Sequence, residues 1–333
     1  MRLRRSDLKT PGIRRRRRGR GFEYVDSDGL RLDDPETVER IHALVIPPAW
    51  EDVWICPYPN GHIQVVGIDA AGRKQYLYHS AWREQQDREK FDQMLEFART
   101  LPRIRERTRE DLRADGLSRE RVLACAVRLL DRGFFRIGGE EYAEENGSYG
   151  LATLEKRHVR LEPDNLLVFD YPAKSGKRRL QAIVDPEVFG VVAELKRRRS
   201  GRELLAYRNG RWVDVRSSDI NEYIKDASGS DFTAKHFRTW HGTVIAAVAL
   251  AVAGDAASSS ASKRALTRAV QEVAHYLGNT PAVARASYID PRVFDRYQGG
   301  VTIASALDEL GDGEIGAPAT HGKVEQAVLD LLS

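Results

Sequence analysis

At 333 residues, with 41% hydrophobic and 31% charged residues, the chain is long enough for one large or two modest domains with a substantial core. Its two cysteines, Cys56 and Cys125, exclude a disulfide framework and a zinc site of cysteine spacing, and they fit a reduced intracellular setting. The net charge of +4 hides an asymmetry, because residues 1–20 hold ten Lys/Arg against the single acid Asp7 and leave about −5 for the rest.

That basic stretch, with Arg14 to Arg18 in one run, reads as a disordered tail suited to a polyanion. It is too charged for a signal peptide. Residues 22–80 then read as strands and turns. Phe22 to Val25 stops at Asp28-Gly29, and Asn60-Gly61 between two apolar runs predicts a tight hairpin. Asp26-Ser27-Asp28 reads as a turn rather than a Mg²⁺ site. A short helix is expected over Pro35 to Leu44. Residues 84–92 are dense in charge and serve as a linker in this reading, so the expected division is a tail at 1–20, a β-rich domain at 21–83 and a larger domain at 93–333.

Beyond the linker the pattern turns helical. Val122, Leu123, Ala126, Leu129 and Leu130 share a face after a cap at Ser118, and the helix stops at Gly133, which leaves Arg136 just past its end. Leu166 to Tyr171 and Leu180 to Val184 alternate as a hairpin with Lys174 at its tip. Further helices are expected at Asp219 to Lys225, Thr233 to Ala253 and Lys263 to Leu277, with Gly254 to Ser262 a flexible loop. The apolar run Val244 to Ala253 is far shorter than the roughly 20 residues of a membrane span. The fold class is therefore α+β: a small, mostly β N-terminal domain and a larger, mainly α-helical domain carrying a β-hairpin.

Five polar side chains stand out together: Arg136, Lys174, Arg238, Asn279 and Tyr288. Singly, each has a plain structural explanation. Arg136 has Glu140 and Glu141 nearby as partners, and Gly278-Asn279-Thr280-Pro281 reads as one helix closing and the next being capped. As a set they suit phosphodiester attack by a phenol. Guanidinium forks match the oxygens of a phosphorane, a lysine can protonate the departing alkoxide, and an amide can donate a hydrogen bond.

Several motifs now resemble one family. Ile46-Pro47-Pro48-Ala49-Trp50, Gly67-Ile68-Asp69 with Gly72 to His79, Phe134-Phe135-Arg136-Ile137-Gly138, Lys235-His236-Phe237-Arg238-Thr239-Trp240 and Ala286-Ser287-Tyr288-Ile289-Asp290 are similar to those of type IB DNA topoisomerases of the bacterial, poxvirus-like group. The resemblance implies that Tyr288 is the nucleophile, Arg136 and Arg238 the catalytic arginines, and Lys174 the general acid, with Lys177 close enough to compete for that part. It also implies an adjoining strand at Tyr149 to Leu154. Asn279 stands where poxvirus enzymes carry histidine, which leaves a hydrogen-bond donor but no imidazolium.

The implied activity is relaxation of supercoiled DNA through a 3′-phosphotyrosyl intermediate, without nucleotide, metal or other cofactor. Duplex DNA is the implied partner, gripped in part by an N-terminal clamp domain; Arg73, Lys74, Tyr76, Lys156, Arg157 and His158 are the expected phosphate contacts. The chain is expected to act as a cytoplasmic, nucleoid-associated monomer with no membrane contact. The competing readings are a tyrosine recombinase and a non-catalytic basic DNA-binding protein. The sequence does not decide whether residues after Gly300 join the core.

Overall fold

The computed structural model describes residues 2–309 and 320–333. The chain divides into two compact units, Met1–Asp92 and Gln93–Ser333.

In the first unit, β1 (Ile13–Arg18), β2 (Gly21–Val25), α1 (Pro35–Ala43), β3 (Glu51–Ile55), β4 (Ile63–Ile68) and β5 (Lys74–Tyr78) precede α2 (Ser80–Leu112). The strands form one antiparallel sheet in the order β2-β1-β3-β4-β5. Its core is small: Ile13, Ile41, Val53, Ile55 and Val65, with Trp50 and Leu77 packed at the margin.

Two expectations fail here. The arginine run is not a tail. It is β1, an interior strand with Arg14 opposite Val25 and Trp54, anchored by buried Ile13. Arg15 supplies a reason: its guanidinium donates to the carbonyls of Ile46, Pro47 and Trp50 and so staples β1 to the loop before β3. Asn60-Gly61 is not a two-residue hairpin either, and neither residue takes a left-handed φ. The connection from Cys56 to His62 is longer and wraps the N-terminus, with Arg4 N–H donating to Asn60 O and His62 N–H to Arg4 O, both at 2.9 Å. Gly61 is needed for closeness: a Cβ there would lie 2.5 Å from Cys56 Sγ and 2.8 Å from Ser6 Oγ. Asp26-Ser27-Asp28 is indeed a turn, in which the Asp26 carboxylate accepts from the N–H groups of Asp28 and Leu30.

The charged stretch 84–92 is not an irregular linker but part of α2, which runs unbroken for 33 residues. Its exposed faces are held by side-chain pairs three or four residues apart, such as Gln85–Glu89 and Arg107–Asp111.

The second unit contains α3 (Arg119–Gly133), α4 (Glu140–Asn146), β6 (Val159–Glu162), β7 (Leu166–Pro172), β8 (Arg178–Val184) and α5 (Pro186–Arg197). After these come β9 (Ala206–Asn209), β10 (Arg211–Asp214), α6 (Ser217–Ser228), α7 (Ala234–Ala253), α8 (Ser259–Leu277), α9 (Pro281–Ser287), α10 (Pro291–Gln298) and α11 (Lys323–Leu332). β6-β7-β8 form one antiparallel sheet and β9-β10 a second, smaller one. A single core joins them. α3 and α7 are its axis: Val122 to Val127, Leu129 and Leu130 are buried on α3, and Phe237, Trp240 and Val244 to Ala247 on α7. Ser118 caps α3 by accepting from Arg121 N–H, as its position predicts.

The expected loop from Gly254 to Ser262 gives up its last residues to α8, which begins at Ser259 under a Ser258 cap. α11 joins the same core through Val324, Val328, Leu329 and Leu332. No helix among the described residues is long and apolar enough to cross a membrane.

Candidate active site

α3 ends with Phe134 in a left-handed conformation, φ 54°. Phe135 fills the core edge-on to Phe169, at 4.9 Å between ring centroids. Arg136 then faces outward, half-buried. Its backbone is clamped, because Leu151 N–H donates to Arg136 O at 2.8 Å and Ala152 N–H to Ile137 O at 2.7 Å. Gly138 and Gly150 meet backbone to backbone there: a Cβ on Gly150 would sit 2.5 Å from Gly138 Cα, and Gly138 itself has φ 83°. Residues 151–153 form a short 3₁₀ turn. The strand implied for Tyr149 to Leu154 is therefore absent; the chain bends because it must both hold Arg136 and return a hydrogen bond from Tyr149 N–H to Pro172 O at 2.8 Å.

The hairpin closes through Ala173 N–H to Lys177 O at 2.8 Å, with Ser175 and Gly176 left-handed. Lys174 and Lys177 are both exposed at this tip. They line one cleft of about 240 Å³ together with Arg136, Arg179, Arg238 and Asn279. Glu140, a sequence candidate to neutralise Arg136, instead accepts from the Ser217 backbone and hydroxyl.

Arg238 lies in the second turn of α7 and is only 5% exposed. Its guanidinium donates to Phe134 O at 2.6 Å and Leu277 O at 2.8 Å, so it ties the end of α3 to the end of α8. Its Nε is buried without a partner. Burial and the nearby charge of Arg136 push the Arg238 guanidinium down to about 10. Among the described residues no carboxylate pairs with Arg136, Arg179 or Arg238, whose donors go to carbonyl oxygens and an amide instead. A buried cation without a counterion is costly to keep, and a bound anion would relieve that cost.

α8 ends at Gly278, left-handed at φ 60°, and Thr280 caps α9 by accepting from Val283 N–H at 3.3 Å. With capping assigned to Thr280, the Asn279 side chain is left for the cleft. Its Oδ1 accepts from Arg136 Nη2, which also donates to Gly278 O at 3.2 Å, and its Nδ2 is buried with no acceptor. An oxyanion would satisfy that orphaned donor.

Tyr288 terminates α9, half-buried, with the Arg238 guanidinium carbon 5.2 Å from its ring centroid. α7 makes room for it: a Cβ on Gly242 would lie 2.4 Å from Tyr288 O and 3.1 Å from Tyr288 Cβ. Thr243 Oγ1 accepts from Asp290 N–H at 3.1 Å and lies 3.5 Å from Tyr288 O, so consecutive residues of α7 seat the tyrosine segment. Burial pushes the phenol up, but the charges of Arg238 and Arg136 outweigh it, and its pKa falls below the ordinary tyrosine value.

One participant escaped the sequence reading. Arg179, on β8, donates to His275 O at 3.1 Å and to Tyr276 O, fastening the end of α8 to the hairpin beside the cleft. An arginine after a lysine-rich turn has no signature of its own; the alternation Arg178-out, Arg179-in was the only available hint.

The sequence-nominated phosphate contacts fall into two groups. Lys74 and Tyr76 project from the exposed face of edge strand β5, and Arg73 beside them is exposed while pairing with Asp69 at 2.8 Å. Arg157 is exposed and pairs with Glu155 at 2.6 Å. Lys156 and His158 are engaged within the fold. Lys156 Nζ donates to Arg198 O at 2.8 Å, and buried His158 packs on Tyr149, 4.5 Å between centroids, with Nδ1 accepting from Glu155 N–H.

Residues 79–302 match the family model described as eukaryotic DNA topoisomerase I, catalytic core, and residues 21–69 match bacterial DNA topoisomerase IB, N-terminal domain. The chain is similar to DNA topoisomerase 1B of Acanthamoeba polyphaga mimivirus, 29% identical over 296 residues, which cover 86% of this chain and 88% of that one. It is 28% identical over 163 residues to DNA topoisomerase 1 of Schizosaccharomyces pombe, covering 49% of this chain and 19% of that protein. With DNA topoisomerase I of Monkeypox virus the identity is 23% over 154 residues, 44% of this chain and 49% of the other. A catalytic-core match spanning more than half of the sequence, together with its own N-terminal domain match, shows that the chain belongs to the type IB DNA topoisomerases.

Proposed function

We propose that this chain relaxes duplex DNA as a monomer, with Tyr288 as nucleophile. The phenolic oxygen attacks a backbone phosphorus, the 5′ oxygen of the next nucleotide leaves, and a 3′-phosphotyrosyl ester replaces the original ester. The cut strand swivels, and the 5′ hydroxyl attacks back to expel Tyr288. One ester is exchanged for another, so the cycle needs no net energy input. Arg136 and Arg238 stabilise the nonbridging oxygens as charge builds on them, and Asn279 Nδ2 donates a further hydrogen bond. Lys174 protonates the departing 5′ oxygen.

The observation that carries this reading is Arg238, a buried and uncompensated cation stacked on Tyr288. It lowers the phenol's pKa before substrate arrives and leaves positive charge for the phosphorane.

The test is supercoiled-plasmid relaxation without nucleotide or added magnesium, combined with denaturant trapping of the adduct. We expect relaxation to completion and protein attached to a 3′ end beside a free 5′ hydroxyl. A requirement for ATP, or attachment at a 5′ end, overturns the proposal.

Lys174→Ala is expected to slow cleavage by about 10²–10⁴-fold. A substrate with a bridging 5′ sulfur, a far better leaving group, should restore most of the rate. If the sulfur substrate rescues Lys177→Ala instead, the proton comes from Lys177, which lines the same cleft.

A further inference from the structure

On the α3 and α7 side of the core that faces α11, three side chains converge that the reaction does not use. Asp131 comes from α3, His241 from α7 and His321 from the turn that leads into α11. Their side chains are 8%, 2% and 8% exposed. His241 Nε2 stands 3.3 Å and His321 Nε2 3.7 Å from Asp131 Oδ1, and the two imidazoles lie nearly parallel at 5.7 Å.

The spacing is close, yet the hydrogen bonds are missing. Both nitrogens of His241 and Nε2 of His321 are buried without a hydrogen-bond partner. Orphaned imidazole nitrogens beside a carboxylate are unfavourable unless something sits among them. Two ligand atoms bound tetrahedrally to a zinc ion are about 3.4 Å apart, which falls between the two observed separations.

The surroundings fit a cation. Arg105 donates to both oxygens of Asp131, at 2.8 and 2.9 Å, and to Glu325, which also accepts from Trp240 Nε1 at 2.8 Å. Arg105 between Asp131 and Glu325 leaves a sum of about −1 for these three groups, while Arg109, Arg128 and Arg132, which also border the adjoining cavity, pair with Glu106, Asp185 and Glu187. A cavity of about 200 Å³ bordered by Asp131, His321, Thr108 and Gly322 has room for a water as a further ligand.

We propose that Asp131, His241 and His321 bind one divalent cation of the zinc type, and that the ion fastens the approach to α11 onto α3 and α7. Two imidazoles and one carboxylate favour zinc or cobalt over magnesium or calcium, which prefer all-oxygen shells. Arg105 orients the carboxylate from behind, the usual part of an outer partner at a metal site. The ion takes no step in strand transfer; its consequence is stability and the placement of the C-terminal helix.

The experiment uses the untagged, full-length chain stripped of metal by a chelator that is then removed. Titration with Co²⁺ should give saturable visible bands of a tetrahedral ion at one equivalent, displaced by Zn²⁺, and Zn²⁺ should raise the unfolding midpoint. His321→Ala and Asp131→Asn should each weaken Co²⁺ binding about 100-fold or more, with folding checked by circular dichroism. Cys56→Ser should leave the titration unchanged, since a thiol site elsewhere would otherwise account for the signal. Absence of a saturable one-equivalent site, or binding that survives both ligand changes, overturns the proposal.

Discussion

Replacing Tyr288 with phenylalanine is expected to lower strand cleavage by at least about four orders of magnitude and to eliminate the denaturant-stable adduct. Binding of an uncut duplex should change by less than about threefold, because the substitution keeps every packing contact of the ring. The ring stays beneath Arg238, and its backbone stays in the space left by Gly242. Only the oxygen that makes the ester is lost. Single-turnover cleavage of a nicked suicide duplex separates chemistry from binding in one experiment. Adduct formation by the phenylalanine variant would transfer the nucleophile to another residue and remove the foundation of the proposed mechanism.

Arg238→Ala carries the second-largest expected loss, about 10²–10³-fold or more in the cleavage rate, with a much smaller loss of DNA affinity. Two effects combine. The phosphorane loses a buried cation, and Tyr288 loses the charge that lowers its pKa, so a smaller fraction of phenol is ready to attack near neutral pH. Arg238→Lys should restore little, since an ammonium cannot span Phe134 O and Leu277 O with one fork. The pH dependence has a definite sign. Arg238 titrates near 10 in the folded chain, below the ordinary arginine value, so keeping it charged costs stability at every pH below that point, and the cost fades as pH rises through 10. In the complex the DNA phosphate holds the charge of Arg238, so the cleavage rate should climb with pH as the phenol ionises, and Arg238→Ala should move that climb to higher pH. Single-turnover rates of both proteins from pH 6 to 11 test this; a climb at the same pH in Arg238→Ala would mean that the guanidinium does not set the ionisation of Tyr288.

Much of this was visible in the residues themselves. The alternation from Leu166 to Val184 gave the hairpin and put Lys174 at its tip, and the cap at Ser118 with the apolar face of Val122 to Leu130 placed Arg136 just past a helix end. Gly278-Asn279-Thr280-Pro281 read correctly as one helix closing and another opening. What resisted was set by contacts between distant residues. Nothing local in Gly242 says that Tyr288 needs the missing Cβ, and nothing near Arg179 says that it will grip the end of α8. The turn at Leu151 to Thr153 replaced an expected strand because its N–H groups go to Arg136 and Ile137. Composition misled twice, at the arginine run and at residues 84–92. In both places high charge suggested disorder, while one anchoring side chain or a series of paired exposed side chains was enough to hold regular structure.

The placement of Arg14 to Arg18 inside a sheet alters how a role in DNA binding must be tested for them. Removing residues 1–20 would take out an interior strand, leave β2 and β3 without their shared neighbour and uncover Ile13's core partners. Any fall in affinity after such a truncation would mix lost charge with a damaged domain. Charge-neutralising changes at Arg14, Arg16 and Arg18, which leave Arg15 on its carbonyls, isolate the electrostatic contribution. Because the strand is already ordered, these side chains meet a polyanion without first freezing a loose backbone, so their contribution should show mainly in the salt dependence of binding.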